Sequence, residues 1–352
     1  MTGYGAPVAQ PSDPAGHPTV VFLHGFGFLG QDYWALGELL AENGFAAVML
    51  NTAQFSYAEL EDDARAMFVA LGNASGSASG FFAGAFDTSR VGLLGHSMGG
   101  AVTAYVLNED PFSMASNPGY VCGLALAPAN PAMTSAGTNV RVPLGIVSGL
   151  GDMVTPPSLH ADPYYAGIAT TDGLKFHYQM GLAAQHMNIP GLLPTSPTVF
   201  ERTKAIVVGY FGHFLRRSLS GLDAVFGPDG AGDPNLSTLE VDVAVPQVWA
   251  DQPLTIGQTT RVSIALEAGL AGLLGAGATS APIPTMFGTV LIDLSTAFTV
   301  AESVASSERI DFTIDVPNDP LLVGVNLAVQ GVGVTVSQPL FLGTALEFSV
   351  GQ

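Results

Sequence analysis

From residue 18 to about 216 the chain alternates short apolar runs with segments whose apolar positions recur every three or four residues. Apolar runs bounded by turn residues read as buried strands, and the three-to-four spacing reads as helices with one buried face. "TVVFLHG" (19–25) predicts the first strand, and "DYWALGELLAENG" (32–44) a helix stopped at Gly44. "FAAVMLN" (45–51) predicts a strand, "YAELEDDARAMFVALG" (57–72) a helix, and the Gly/Ala/Ser-rich "NASGSASGFFAGAFDTS" (73–89) a surface loop. Further strands are expected at 90–95, 121–127, 142–149 and 174–180, with helices at 98–108 and about 198–217. This order predicts an α/β domain, a doubly wound and mostly parallel sheet covered by helices.

The period changes after "GPDGAGDPN" (227–235), which has a linker's composition. From 237 onward "LEVDVAV", "TRVSIAL", "GTVLIDL", "IDFTIDV" and "ALEFSV" alternate in steps of two, so a small antiparallel β-sandwich is expected. The expected organisation is a flexible tail at 1–17, an α/β domain at 18–226, a linker at 227–236 and a β-sandwich at 237–352. The chain has 352 residues, 48% of them hydrophobic, enough for a large core. No apolar run reaches the roughly 18–20 residues of a membrane span, so none is expected.

Ten Lys and Arg stand against 29 Asp and Glu, giving a net charge of −19. Such a surface repels phosphate backbones, which argues against a nucleic-acid partner. The single cysteine, Cys122, excludes an intrachain disulfide, and its apolar setting "YVCGLALAP" reads as an inert core thiol. "MTGYGAPVAQPSDPAG" (1–16) has neither a basic start nor an apolar stretch and reads as the beginning of a mature chain, not a signal peptide.

Chemistry enters at "LLGHSMGGAVTAYVL" (93–107), where Gly95-His96-Ser97-Met98-Gly99 fits G-x-S-x-G between an expected strand and an expected helix. Small residues on both sides let the helix pass close to the strand, and the bend pushes the Ser97 hydroxyl out of the sheet. The Met98 N–H, at the helix N-terminus, then faces any developing oxyanion. A serine needs a base, and the base an acid to orient it. Asp152 follows the strand "VPLGIVSG" and His186 follows "KFHYQMG", so both fall at the sheet edge that displays Ser97. His177 lies inside its strand and reads as core; His160, His17 and His213 lack the placement, and Asp162 and Asp172 lie too far along their connection. The loop after the first strand, "LHGFGFLGQDYW", can supply a second oxyanion donor, the Phe26 N–H, with the Phe26 ring beside the acyl pocket and His24 structural. Val154 and Met187 are candidate apolar walls. With no long insert between Leu126 and Asp152, no lid is expected.

"HGFG", "GHSMGG", "GDMVTPP" and the later histidine resemble the α/β-hydrolase fold, in particular bacterial cutinases and PET-hydrolase-like polyesterases, over about residues 18–217. The resemblance implies a secreted serine-ester hydrolase of cutinase or polyester-hydrolase type that needs no cofactor. Its triad would be Ser97, Asp152 and His186, and its oxyanion hole the Phe26 and Met98 N–H groups. Ala127-Pro128-Ala129 replaces the family's Thr-Pro-Trp, so Ala129 removes an aromatic substrate clamp. A small-molecule carboxylesterase or lipase stays open as an alternative, as does a surface- or polymer-binding protein with a lapsed hydrolase domain. Residues 237–352 are similar to a small β module of secreted planctomycete-like proteins, which implies either a stabilising domain or a surface or polymer contact.

Overall fold

The apolar runs become the strands of one sheet. The computed structural model describes residues 11, 13–109, 116–130, 139–170, 173–193, 195–266, 269–305, 309–335 and 340–352. In chain order the α/β part comprises β1 (His17–Leu23), α1 (Trp34–Glu42), β2 (Ala46–Met49), α2 (Tyr57–Gly76), β3 (Phe86–His96), α3 (Met98–Leu107) and β4 (Cys122–Leu126). It continues with β5 (Asn139–Val140), β6 (Leu144–Gly149), α4 (Ala161–Gly167), β7 (Ala169–Thr170), β8 (Leu174–Met180) and α5 (Pro197–Arg216). After the short helices α6 (Asp223–Phe226) and α7 (Pro228–Ala231), β9 (Leu236–Val243) completes a seven-stranded sheet of order β2-β1-β3-β4-β6-β8-β9. The pairs β1–β2, β1–β3, β3–β4 and β4–β6 are parallel.

Strands β4, β6 and β8 are buried along their whole length. Burial on both faces is why β4 (CGLAL) and β6 (LGIVSG) read as nearly unbroken apolar runs, whereas β8 (LKFHYQM) alternates yet buries Lys175, His177 and Gln179 as well. One core joins Leu60 and Leu71 of α2, Val102 and Val106 of α3 and Tyr164 of α4 to Val21, Leu93, Ala125 and Ile146 of the strands. α5 packs against β1, β3 and β4, and α1 against β2 and α5. Cys122 is fully buried, which pushes its thiol well above the ordinary value. This is the doubly wound, mostly parallel α/β sheet that the pattern predicts, and it fits the α/β-hydrolase fold that the resemblance implies.

The chain divides into two compact units, one of Met1–Thr171, Phe176–Arg217 and Pro234–Glu240, the other of Asp172–Lys175, Ser218–Asp233 and Val241–Gln352. In the second unit β10 (Gln247–Ala250), β11 (Thr259–Ala265) and β16 (Arg309–Asp315) form a three-stranded sheet. A four-stranded sheet holds β15 (Phe298–Ala305), β12 (Gly269–Ala276), β17 (Asn326–Thr335) and β18 (Phe341–Ser349), and β13 (Thr279–Thr285) pairs with β14 (Gly288–Ile292). Val248, Val262 and Ile264 of the first sheet share a core with Leu273, Val329 and Leu346 of the second, which makes the unit a sandwich.

The sequence expectation and the structure differ at the junction. Residues 227–236, expected as a linker, hold α7 and the start of β9, and "LEVDV" joins the seven-stranded sheet, not the sandwich. Asp223 of α6 accepts from Trp249 Nε1 (2.9 Å) and pairs with Arg261 (2.6 Å), binding that segment to β10 and β11. Most of the expected tail, 1–10 and residue 12, lies outside the described residues, whereas Asp13 pairs with Arg90 at 2.6 Å and His17 opens β1.

Candidate active site

β3 ends on His96 and α3 begins on Met98, leaving Ser97 between them with φ 56° and ψ −116°. A non-glycine residue held there costs on the order of 1–3 kcal/mol and persists only where its surroundings impose it. Here they do. A Cβ on Gly95 would lie 2.1 Å from the Gly99 carbonyl oxygen, and one on Gly99 2.1 Å from that of Leu23. The strand and helix therefore meet through two glycines, and the bend is pinned by Ser97 N–H to Leu126 O (3.0 Å) and Gly99 N–H to His24 O (3.1 Å).

The loop after β6 carries Asp152 and the loop after β8 carries His186. His186 Nε2 lies 3.0 Å from Ser97 Oγ, and its Nδ1 lies 2.7 Å from Asp152 Oδ2. Asp152 Oδ1 accepts from the Val154 and Thr155 N–H groups at 2.8 and 2.7 Å. Thr155 Oγ1 donates to Asp152 Oδ2 (2.7 Å) and turns its lone pairs toward His186 Nδ1 (3.0 Å). Burial raises the Asp152 pKa, but the hydrogen bond and charge of His186 and the Thr155 donors outweigh it, so the carboxyl titrates below its ordinary value. Asp152 is 1% exposed and Ser97 8% exposed, so the carboxylate is sealed while the serine residue keeps a small exposure.

Phe28 N–H donates to the Gly25 oxygen (3.1 Å), and His24 Nδ1 lies 2.9 Å from the same atom. Because a trans peptide points its C=O and N–H in opposite directions, this aims the Phe26 N–H away from that oxygen. Among the described residues neither the Phe26 nor the Met98 N–H has an acceptor. The Phe26 ring is exposed and stands edge-on to Phe55, with centroids 5.2 Å apart. Ala129 is half-buried; its N–H donates to Ser97 O (2.8 Å) and its carbonyl accepts from Tyr57 (2.9 Å). Val154 is exposed and Met187 half-buried, close in sequence to Asp152 and His186 respectively.

Sequence reasoning missed Thr155, Phe55 and Tyr33. Thr155 had a local signal, since an Asp followed by two inward-turning N–H groups is an Asx turn whose third residue can close back on the carboxylate. Phe55 and Tyr33 had none, because their roles depend on contacts between loops.

A second Ser–His–Asp set is drawn from β6, β8 and α4: Ser148 Oγ is 2.7 Å from His177 Nε2, and Asp162 is 3.7 Å from His177 Nδ1. Ser148 and His177 are each 1% exposed, so no ester can reach them. Burial lowers His177 from 6.5 to about 4. The unfolded chain then binds the extra proton between pH 6.5 and about 4, so stability falls as pH drops through that window, by about 3 kcal/mol in all. Urea unfolding of His177→Gln should show a stability-versus-pH slope smaller by about 1 kcal/mol per pH unit at pH 5 than the parent; equal slopes would contradict the assignment. Among the described residues no group of three or more His, Cys, Asp or Glu side chains could hold a metal ion.

A family model described as PET hydrolase-like matches residues 1–188, a stretch that contains Ser97, Asp152 and His186. The bis(hydroxyethyl) terephthalate hydrolase of Streptomyces coelicolor is 29% identical over 152 residues, covering 43% of this chain and 45% of that protein. Cutinase 2 of Thermobifida cellulosilytica is 29% identical over 136 residues, 39% of this chain and 48% of that protein. Cutinase cut1 of Thermobifida fusca is likewise 29% identical over 136 residues, 39% and 40% of the two chains. The chain thus spans less than half the length of these curated relatives. The family model covers more than half of the chain and embraces the whole Ser–His–Asp arrangement, so the chain belongs to the PET hydrolase-like family.

Proposed function

We propose that this protein is a serine carboxylic-ester hydrolase acting through an acyl-enzyme, with bulky or polymeric esters as its substrates. The observation that carries the reading is the continuous Ser97–His186–Asp152 line at 3.0 and 2.7 Å. His186 Nε2 takes the Ser97 proton as Oγ attacks the ester carbonyl, and the alkoxide charge is met by the Phe26 and Met98 N–H groups. His186 returns the proton to the leaving alcohol. Water, deprotonated by the same nitrogen, then releases the acid and regenerates Ser97. Asp152 stays ionised and holds the imidazole in the tautomer that leaves Nε2 free to accept.

The names of the relatives, cutinases and a terephthalate-ester hydrolase, support the ester class. The polymeric preference rests on exposed apolar side chains in the loops around the serine: Phe26, Phe55, Met153, Val154 and Leu182. Ala129 supports the competing preference for smaller esters. All three triad members belong to the first compact unit, to which catalysis is assigned; for the second unit, contact with a surface or polymer is the proposed role.

A fluorophosphonate probe followed by peptide mass spectrometry is expected to label Ser97 alone. The protein should hydrolyse p-nitrophenyl butyrate and release soluble acid from polyester film. Absence of label at Ser97 overturns the hydrolase reading, whereas label with turnover of short esters and no release from film selects the small-ester alternative.

A further inference from the structure

His96 fits none of the steps above, although it precedes the nucleophile and is fully buried beside the base. Its Nε2 lies 3.1 Å from the main-chain oxygen of His186, and its ring stacks at a tilt on the His186 ring with centroids 4.6 Å apart. Its Nδ1 lies 2.8 Å from Tyr33 Oη, and that hydroxyl accepts from the Gly25 N–H at 3.0 Å. Tyr33 is 1% exposed, and its place is reserved: a Cβ on Gly25 would lie 2.9 Å from the Tyr33 oxygen.

The hydrogens in this chain can run only one way. The His186 carbonyl only accepts, so His96 Nε2 carries the proton. In a neutral ring Nδ1 is then the acceptor, and it takes the Tyr33 O–H, whose lone pair takes the Gly25 N–H. A protonated His96 would put a second donor on Tyr33 and strand the hydroxyl proton inside the core. Burial, reinforced by the neighbouring His186, holds the His96 pKa well below its ordinary value, which keeps the ring neutral.

The ends of the chain matter for catalysis. Gly25 immediately precedes Phe26, whose N–H is the proposed oxyanion donor, and the other end is the backbone of the general base. We propose that Tyr33 and His96 are positioning residues: the one-way chain Gly25–Tyr33–His96–His186 fixes the oxyanion loop relative to the loop that carries the base. The inference rests on the acyl-transfer reading and adds two residues that never touch substrate.

Misplacing an oxyanion donor weakens the transition state more than the bound ester, so the loss falls on kcat. Tyr33→Phe should lower kcat on p-nitrophenyl butyrate about 10- to 100-fold, below the full loss of one oxyanion donor, with KM changed less than about threefold. His96→Asn, which keeps an acceptor for Tyr33 but loses the donor to His186, should fall by a similar factor. The double variant should cost no more than about the worse single one, because either change breaks the same chain. Folding is followed by the thermal midpoint. A folded Tyr33→Phe with kcat within twofold of the parent, or strictly additive losses, overturns the proposal. The unmodified protein provides a measurement that needs no variant: ¹⁵N-histidine NMR should find His96 as the neutral Nε2–H tautomer from pH 5.5 to 8. An imidazolium or an Nδ1–H form would overturn the chain equally. Ser97→Ala tests the acyl-transfer reading separately, since an unchanged rate there sinks hydrolysis at this site and leaves the His96 tautomer untouched.

Discussion

Asp152→Asn should lower kcat on a p-nitrophenyl acyl ester by about 10⁴-fold, as the same change does in the general Ser–His–Asp template, and Ser97→Ala by about 10⁵–10⁶-fold. The Asp152 effect follows from which oxygen does what. Oδ1 accepts two main-chain N–H groups, from Val154 and Thr155, at 2.8 and 2.7 Å. An asparagine must therefore put its only oxygen there, leaving its NH₂ in the place of Oδ2, 2.7 Å from His186 Nδ1. That NH₂ can only donate, so Nδ1 becomes the acceptor and the imidazole proton moves to Nε2. A protonated Nε2 cannot take the Ser97 proton, although shape and burial have hardly changed. KM should stay within a few fold of the parent, because the ester is held by the pocket and not by the tautomer. Steady-state kinetics on two acyl chain lengths would check both parameters, and a variant within tenfold of the parent kcat would remove Asp152 from the proposed mechanism. Without the Ser97 oxygen no acyl-enzyme can form, which is why that loss is expected to be larger.

What the sequence disclosed and what it hid follow from the range of the forces involved. The bend at Ser97 was legible because it is written in five consecutive residues, and the proposed acid and base could be picked out because Asp152 and His186 each stand just past a buried strand. Among the strands, β4 and β6 were legible as apolar runs because they are buried along their whole length, and β8 because its apolar residues alternate. β9 was not placed correctly: its alternation, with only Val243 buried, says strand but not which sheet it joins. Helix α2 runs to Gly76 and β3 begins at Phe86, so the expected loop 73–89 is shorter than its composition suggested. Ser75 explains part of this, since its Oγ accepts from the Phe86 N–H (3.0 Å) and donates to the Phe86 oxygen (2.8 Å), tying helix end to strand start. Tyr33, 63 positions from His96, and Phe55, which meets Phe26 across two loops, gave no signal because nothing local marks their partners.

The glycines flanking the serine lead to the second large effect. Gly99→Ala should destabilise the protein by about 3 kcal/mol or more, the upper range for inserting atoms into a packed site. The new Cβ would stand 2.1 Å from the Leu23 oxygen and 2.8 Å from the His24 oxygen. Both belong to main chain at the end of β1 and the start of the loop that follows it, so no side-chain rotation can relieve the clash. Either α3 retreats from β1, or the loop carrying Phe26 shifts. The first breaks Gly99 N–H to His24 O and the second moves the proposed oxyanion donor. Activity should therefore fall even in whatever fraction remains folded. Gly76→Ala is the matched control: it ends α2, and its added Cβ meets nothing within 4 Å. Alanine in that helix should be neutral or stabilising by about 0.5–1 kcal/mol. Urea unfolding and p-nitrophenyl butyrate turnover on the two variants decide the matter. If Gly99→Ala matches Gly76→Ala in both, close approach is not what those glycines provide, and the bend at Ser97 must be held by its hydrogen bonds alone.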